Sequence, residues 1–475
     1  MALFREAVIL LCVLLANLTA GAQKAPSAPD RPWDDSSAKQ QLTLPQRLAA
    51  APAIDPAKVY TLSELVNIAE QNNPETRVAW ESARAKAADL GIAQSTLYPT
   101  LAAAALAEST RLDIFFGPSF QRQTVETFSP VFILDYIIFD FGRRSQEISI
   151  SRSDLLAANF QFNDTHRRVI FQVMQSYYRL LDTIGQQDAA EANLKNAQTV
   201  QQAAEARLQN GLATLPDVLE ARSAAAQADY DLQAAIGATE IAHGNLATAL
   251  GISPTTQFKV ETIQDIKMPD SIADTVEASI DKALSQRPDL MQRIAELRAA
   301  GAEVKAERRN YFPTLSIDGS AGLARSYGEQ INLPGLYSPT RETWDAQLSL
   351  TWTIFDGLAR ENRLAKAKAN QKQAAASVDS LRDQVENQVW AAYSTARTAL
   401  RQQKAAAALL KAATESYHAA LESYNYGVRS QIDVVAAQRT LADARTADVN
   451  ARTQLLTGLA ALAYETGDLL HAKGP

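Results

Sequence analysis

The chain has 475 residues, of which 47% are apolar but only 7% aromatic, and it is rich in alanine interleaved with glutamine, glutamate and arginine. That is the usage of long helices. A formal charge of −7 leaves no basic footprint, which argues against nucleic acid and anionic lipid surfaces as partners, and beyond the first residues no run of 18 or more apolar residues exists to cross a membrane as a helix.

In chain order, Arg5 and Glu6 precede an apolar run from Ala7 to Leu18 and then Ala20-Gly21-Ala22, a small-x-small cleavage site. Residues 1–22 are therefore expected to be a secretory signal peptide, the run being too short to span a bilayer. Cys12, the single cysteine, follows Leu11 rather than a small residue, so neither a lipid anchor nor a disulfide is expected in the mature chain. Residues 23–57 carry Pro26, Pro29, Pro32, Pro45, Pro52 and Pro56 and read as an extended or disordered leader.

From there the chain says the same thing twice. Tyr98-Pro99-Thr100-Leu101 returns as Phe312-Pro313-Thr314-Leu315, and Asn73-Pro74-Glu75 as Arg287-Pro288-Asp289, both 214 residues later. Phe139-Asp140-Phe141-Gly142 is echoed by Phe355-Asp356-Gly357, and Asn210-Gly211 by Tyr426-Gly427. A unit this long points to a duplicated module of several elements. The first repeat is placed at 58–253, a linker at 254–271, the second repeat at 272–468 and a tail at 469–475.

In each repeat a helix begins at a capping residue, Thr61 with Glu64 in the first, breaks near Pro74 or Pro288, and ends before Pro99 or Pro313. Strands are expected at about 98–113 and 123–139, and at about 312–326 and 342–355. Long helices at 141–210 and 357–426 follow, about 100 Å each at 1.5 Å per residue. Ile170, Val173, Tyr177, Leu180 or Leu181 and Ile184 recur at three and four, as a coiled-coil-like seam requires. Gly211 and Gly427 then reverse the chain into return helices at 214–250 and 430–466.

The strands have a period of two. Trp344, Ala346, Leu348, Leu350, Trp352 and Ile354 share one face, with Asp345, Gln347, Ser349, Thr351 and Thr353 on the other. In the first copy Phe128, Phe132, Leu134, Tyr136 and Ile138 form the matching face, over a less polar reverse face with Val131, Ile133 and Ile137. The pattern fits lipid-facing barrel strands, for which Phe128, Phe132, Tyr136, Trp344 and Trp352 supply the aromatics. Periodicity alone also allows an ordinary sandwich hairpin. Four strands per chain cannot close a membrane barrel, and an open edge in hydrocarbon leaves backbone groups unsatisfied, so a spanning chain must oligomerise. Two chains would give eight strands around a filled lumen; three would give twelve and room for water.

With these features the chain resembles the TolC-type outer membrane efflux proteins from about Tyr60 to Gly467, the resemblance resting on the doubled element order, the two Pro-Thr-Leu strand starts and the two hairpin turns. The resemblance implies a mixed α and transmembrane β fold: a homotrimeric 12-stranded barrel in the outer membrane continuing into a long periplasmic α-helical barrel. It further implies an exit duct for efflux or type I secretion, opened at its periplasmic tip by an adaptor and an inner-membrane pump. Adaptor contact would fall on the tips Gly211, Leu212, Ala213 and Thr214, and Gly427, Val428, Arg429 and Ser430. The matching gate positions are Asp217, Tyr424 and Arg429, with Asp433 lining the aperture. An ion pair at a wet tip contributes only about 0–1 kcal/mol, which suits a switch. Asp217 and Arg429 can also be read as plain solvated turn residues. Three Asp433 carboxylates around one point would favour cations and disfavour anions; where some relatives place a second acid three positions on, this chain has Ala436, and Pro216 is a further local difference.

His166, His243, His418 and His471 are dispersed and no phosphate loop or nucleophile elbow is present, so no enzyme activity, cofactor or metal is expected. The competing structural reading is a periplasmic coiled-coil spacer without a conduit.

Overall fold

The computed structural model describes residues 54–116, 119–272, 275–329, 336–337 and 340–470. The expected signal peptide, most of the leader, His471 and the end of the tail lie outside the described residues.

Among the described residues, eight α-helices form two matched sets: α1 (Leu62–Asn72), α2 (Pro74–Ser95), α3 (Arg143–Gln209) and α4 (Leu215–Ala249), then α5 (Val276–Gln286), α6 (Pro288–Arg309), α7 (Ala359–Asn425) and α8 (Gln431–Thr466). Their lengths run 11, 22, 67 and 35 residues against 11, 22, 67 and 36. Strands comprise β1 (Val59–Tyr60), β2 (Thr100–Phe116), β3 (Ser119–Phe139), β4 (Lys259–Val260), β5 (Thr314–Glu329), β6 (Leu336–Tyr337) and β7 (Thr340–Thr351).

Local chemistry sets the boundaries. Thr61 caps α1 in a reciprocal box, its N–H donating to Glu64 Oε2 at 3.0 Å. Pro74 and Pro288, lacking an N–H, start new helices where they would interrupt the old ones. Asn73 caps α2, accepting at Oδ1 from Glu75 N at 2.8 Å.

The Asp-Gly echo turns out to be the joint between strand and long helix. Two consecutive left-handed residues reverse the chain there, Phe141 and Gly142 in one copy and Gly357 and Leu358 in the other. Bulky residues adopt that backbone only under compensation. Asp140 supplies it by accepting from Gly142 N, Arg144 N and Arg144 Nε at 3.1, 2.9 and 3.0 Å, and Asp356 repeats the bond to Arg360 N. Phe141 also stacks on Phe312, with ring centroids 5.1 Å apart.

The seam of α3 enters the main core. Val173, Tyr177, Leu180 and Leu181 pack with Leu65 and Ala69 of α1, Leu246 and Leu250 at the end of α4, and Ile263. Beside it Arg167 is 1% exposed, pairs with Asp164 at 2.6 Å, lies over the Tyr464 ring and reaches towards Asp289 of α6, tying the first copy to the second. A buried guanidinium is tolerated because its charge is met by carboxylates and both Nη groups donate, to the Tyr464 carbonyl and Asp164, although its Nε has no partner.

The main sheet runs β2, β3, β5, β7, all antiparallel, with β6 on the far end of β5. The β3–β5 pairing joins the copies. Its register aligns one face across all four strands: Leu134 stands opposite Leu101 and Gly319, Phe132 opposite Ala103 and Ala321, while Ala321 meets Trp344, and Ile317 meets Leu348. The other face carries Asp135 opposite Asp318, then Gln347 and Asp345, with the apolar Val131, Ile133 and Ile137 in the first copy. Among the described residues no strand pairs with the outer edges of β2 and β7, and all but one of the twelve residues of β7 are exposed.

Packing of the helices is similarly incomplete. α6 lies against both α3 and α7, whereas α2 packs extensively on α3 alone. Ile92 of α2 is 67% exposed, while its counterpart Ala306 in α6 is buried.

Candidate functional site: the hairpin tips and the apolar sheet face

Each long helix ends in a glycine reversal. Gly211 and Gly427 take positive φ, and Leu212 N and Val428 N donate back to the carbonyls of Arg207 and Ser423 at 2.8 and 2.9 Å, the double-bonded cap that closes a helix C-terminus. The return helices restart on matched caps. Thr214 N and Oγ1 donate to Asp217 Oδ2 at 2.8 and 2.7 Å; Ser430 N and Oγ donate to Asp433 Oδ2 at 3.1 and 2.8 Å. These hydroxyl bonds first, and the backbone bonds second, hold both carboxyls below the ordinary aspartate range. Pro216 sits in the first turn of α4, where its missing N–H costs nothing.

Of the expected gate residues, Asp217 and Tyr424 share a neighbourhood, and so do Arg429 and Asp433. Tyr424 is 4% exposed among Val200, Tyr417, Val434 and Leu441. Burial raises its pKa, Arg207 opposes that rise, and the charge of Asp217 adds to it. Arg429 is exposed, its charge lowers the pKa of Asp433, and among the described residues it makes no ion pair with Asp217 within the chain.

Arg207 was not singled out in the sequence, yet it is the cation on Tyr424. Its Nη1 donates to the Tyr424 carbonyl at 2.8 Å and its guanidinium carbon lies 4.4 Å from the ring centroid, linking α3 to α7 across the two hairpins. A signal was available: a basic residue in the last turn of α3, favoured by the helix dipole, has only Ser423 at the matching place in α7. A second asymmetry lies beside it. Gln431 is 3% exposed with neither Oε1 nor Nε2 partnered, where α4 begins with the exposed Leu215. Apolar side chains project from both tips, among them Leu212 and Val428, 68% and 79% exposed.

On the sheet, Phe128, Phe132 and Trp344 are exposed and Tyr136 is half-buried. Trp352 falls one residue past the end of β7 and donates from Nε1 to the Tyr311 carbonyl at 3.1 Å. Of the described histidines, His166 lies against Phe162 with its Nδ1 3.5 Å from Glu70, His243 stacks on Phe258 and His418 sits beside Tyr417. Among the described residues no helix is long and apolar enough to cross a membrane.

The family model described as outer membrane efflux protein matches the chain twice, over residues 65–252 and 279–468. Protein CyaE of Bordetella pertussis is 27% identical over 425 residues, spanning 88% of this chain and 86% of CyaE. Outer membrane protein OprJ of Pseudomonas aeruginosa is 23% identical over 404 residues, spanning 83% and 82%. Among solved structures, the outer-membrane channel OprN superposes with a TM-score of 0.76 at 22% identity, over 90% of this chain and 96% of that one. With the family model matching most of its length, this chain belongs to the outer membrane efflux protein family and is a protein of the outer membrane with a periplasmic extension.

Proposed function

We propose that the chain forms a homotrimeric channel-tunnel, with twelve strands in the outer membrane and a helical barrel in the periplasm, serving as the exit duct of an efflux or type I secretion system. One observation carries this reading: a four-stranded sheet, apolar on one face and open at both edges, is joined directly to two helices of 67 residues. A lipid-facing sheet cannot leave its edges open, and three copies close twelve strands around a lumen wide enough for water. The unpartnered side of α2, matched to the covered side of α6, supports the same closure, and the apolar sheet face argues against a non-conducting spacer. The doubled family match supports a duplication over 58–253 and 272–468.

The tips supply the gate. Asp217, Tyr424, Arg429 and Asp433 hold it closed, with Asp433 of three chains around the aperture; the apolar tips at Gly211 to Thr214 and Gly427 to Ser430 receive the periplasmic adaptor, through which an inner-membrane pump delivers cargo. The duct is passive, and its own side chains perform no chemistry.

Reconstitution into planar bilayers tests the proposal. The purified protein should have the mass of three chains and conduct ions, with larger single-channel conductance on replacing Tyr424 or Arg429. Asp433→Asn, which keeps the acceptor for the Ser430 cap but removes the charge, should weaken block by multivalent cations added at the tip side. A trimer that stays non-conducting with Tyr424 and Arg429 both replaced would overturn the duct reading.

A further inference from the structure

The two copies differ in charge on one side of α6, beside its junction with the sheet. Arg298, Lys305 and Arg308 recur at seven and three residues, so they share that side and lead to Phe312 just past the helix end, with Arg309 alongside. All five are exposed. Among the described residues the four cations have no ion-pair partner, and Arg309 lies over the Phe312 ring, 6.0 Å from its centroid. Acids are kept off this side. Glu296, Glu303 and Glu307 fall opposite it by helical spacing and are half-buried, Glu296 held by Arg293 and Glu307 by Asn310, both at 2.8 Å.

In the first copy, 214 positions earlier, Gly91, Gln94 and Ser95 occupy the places of Lys305, Arg308 and Arg309, while Arg84, matching Arg298, pairs with Glu81 at 3.2 Å. α3 and α7 cover the flanks of α6, leaving the basic side open. The formal charge of −7 for the whole chain conceals this local excess.

We propose that Lys305, Arg308 and Arg309 bind headgroups of anionic phospholipids in the leaflet of the outer membrane that borders the periplasm. The inference rests on the apolar sheet face lying in lipid and is independent of how many chains assemble.

Position selects this partner. The basic side ends at the exposed Phe312, three residues before Leu315, which with Ile317 belongs to the apolar face of β5, opposite Leu350 and Leu348. Trp352, also exposed, bonds to the carbonyl of the neighbouring Tyr311, and Phe355 is exposed beside them in sequence. Exposed aromatics at the end of an apolar band mark the membrane–water boundary, where lipid phosphates lie. Lys305 is seven residues from Phe312, about 10 Å at 1.5 Å per residue, and Arg308 and Arg309 are nearer, so all three fall within reach of headgroups. Arg298 is about twice as far, well beyond the screening length of roughly 8 Å at physiological ionic strength. Each cation beside an anionic leaflet adds attraction, and the planar fork of arginine suits a pair of phosphate oxygens. Because the helices leave the sheet towards the periplasm, the phosphates within reach belong to that leaflet rather than to the outer one.

Native mass spectrometry of the purified assembly tests the proposal. In detergent with equimolar dioleoylphosphatidylglycerol and dioleoylphosphatidylcholine, the wild type should retain the anionic lipid several-fold over the zwitterionic one, and added salt should erode the preference. Lys305→Gln with Arg308→Gln and Arg309→Ser, which installs the first copy's residues at the last two positions, should abolish it. Arg308→Gln alone should lower it, whereas Arg298→Gln should not. No preference in the wild type, a preference that survives the triple substitution, or equal losses from Arg298→Gln and Arg308→Gln would each overturn the assignment. The triple variant should keep the mass and conductance of the wild type, so loss of lipid preference with both intact separates this surface from the duct. A wild type that selects the anionic lipid but never conducts would overturn the duct alone.

Discussion

Replacing Arg207 by alanine should open the tip without weakening the rest of the assembly. The variant loses a charged donor at 2.8 Å from the Tyr424 carbonyl, a bond worth about 1.5–3 kcal/mol, and a cation over the ring, worth about 0.5–1 kcal/mol at a partly exposed site. Two features reduce the sum. The Tyr424 carbonyl keeps a second donor, Gly427 N at 2.9 Å, and the substitution removes the buried Arg207 Nε, which has no partner. A net loss of about 1–2 kcal/mol shifts a closed-to-open equilibrium by about 5- to 30-fold. In planar bilayers the Arg207→Ala channel should occupy its larger-conductance level that much more often. Arg207→Lys should fall between, since an ammonium keeps the charge but cannot stack and hydrogen-bond in one plane. Wild-type occupancy in Arg207→Ala, under conditions where Tyr424→Ala opens the channel, would refute the assignment of Arg207 as the cation of the tie.

Gln431→Leu restores the residue type found at position 215 and removes a buried amide whose unmet bonds cost about 1–3 kcal/mol, so the second tip should gain protection from hydrogen exchange and open about tenfold less often; lower protection would contradict this. Gly185→Ala places a Cβ 2.8 Å from Val449 Cγ1, a β-branched side chain with little rotamer freedom in a helix, and should cost about 1–3 kcal/mol in thermal melts, recovered in part by adding Val449→Ala. Asp217 and Asp433 have lowered pKa values in the folded chain, so their caps stabilise the tips above the ordinary aspartate value of 3.8 and lose that contribution as pH falls below it. Hydrogen-exchange protection factors at 211–217 and 427–433, referred to the intrinsic rate at each pH, should therefore fall on acidification below pH 4, and less so in Asp217→Asn with Asp433→Asn.

Elements governed by near-neighbour chemistry were legible in the sequence. Proline at 74 and 288, glycine at 211 and 427, and the period of two in 343–351 each act within a few residues, and they mark the boundaries of α2, α6, the hairpins and β7. Trp352 continues the same alternation yet lies beyond β7, where its indole N–H donates to the Tyr311 carbonyl, a partner 41 residues away that no local pattern announces. The role of Asp140 and Asp356 was visible only as an echo, since a joint of two left-handed residues gives no periodic signal. Two readings were available and missed. Thr214 to Asp217 and Ser430 to Asp433 have the spacing of a capping box, as plain as Thr61 to Glu64, but the acids drew notice for charge alone. Arg207 could not be paired by spacing, because its partner is 217 residues away.

The matched caps narrow where a gate can reside. Both aspartates are held by their own turns in the same way, so capping cannot distinguish one hairpin from the other. Among the differences between them are Arg207 against Ser423 and Leu215 against Gln431. The first difference places a charged link from the α3–α4 hairpin on Tyr424 of its neighbour; the second leaves the start of α8 with an amide that its packing does not satisfy. A hairpin that carries an unsatisfied group on its buried side is cheaper to displace than one that does not, since displacement returns that group to water. Arg207 Nε leaves the α3–α4 hairpin one unmet donor of its own, against both amide atoms of Gln431 and Oε1 of Gln438 in α8, so the α7–α8 hairpin carries the larger unmet demand and Arg207 is the contact that ties the two together.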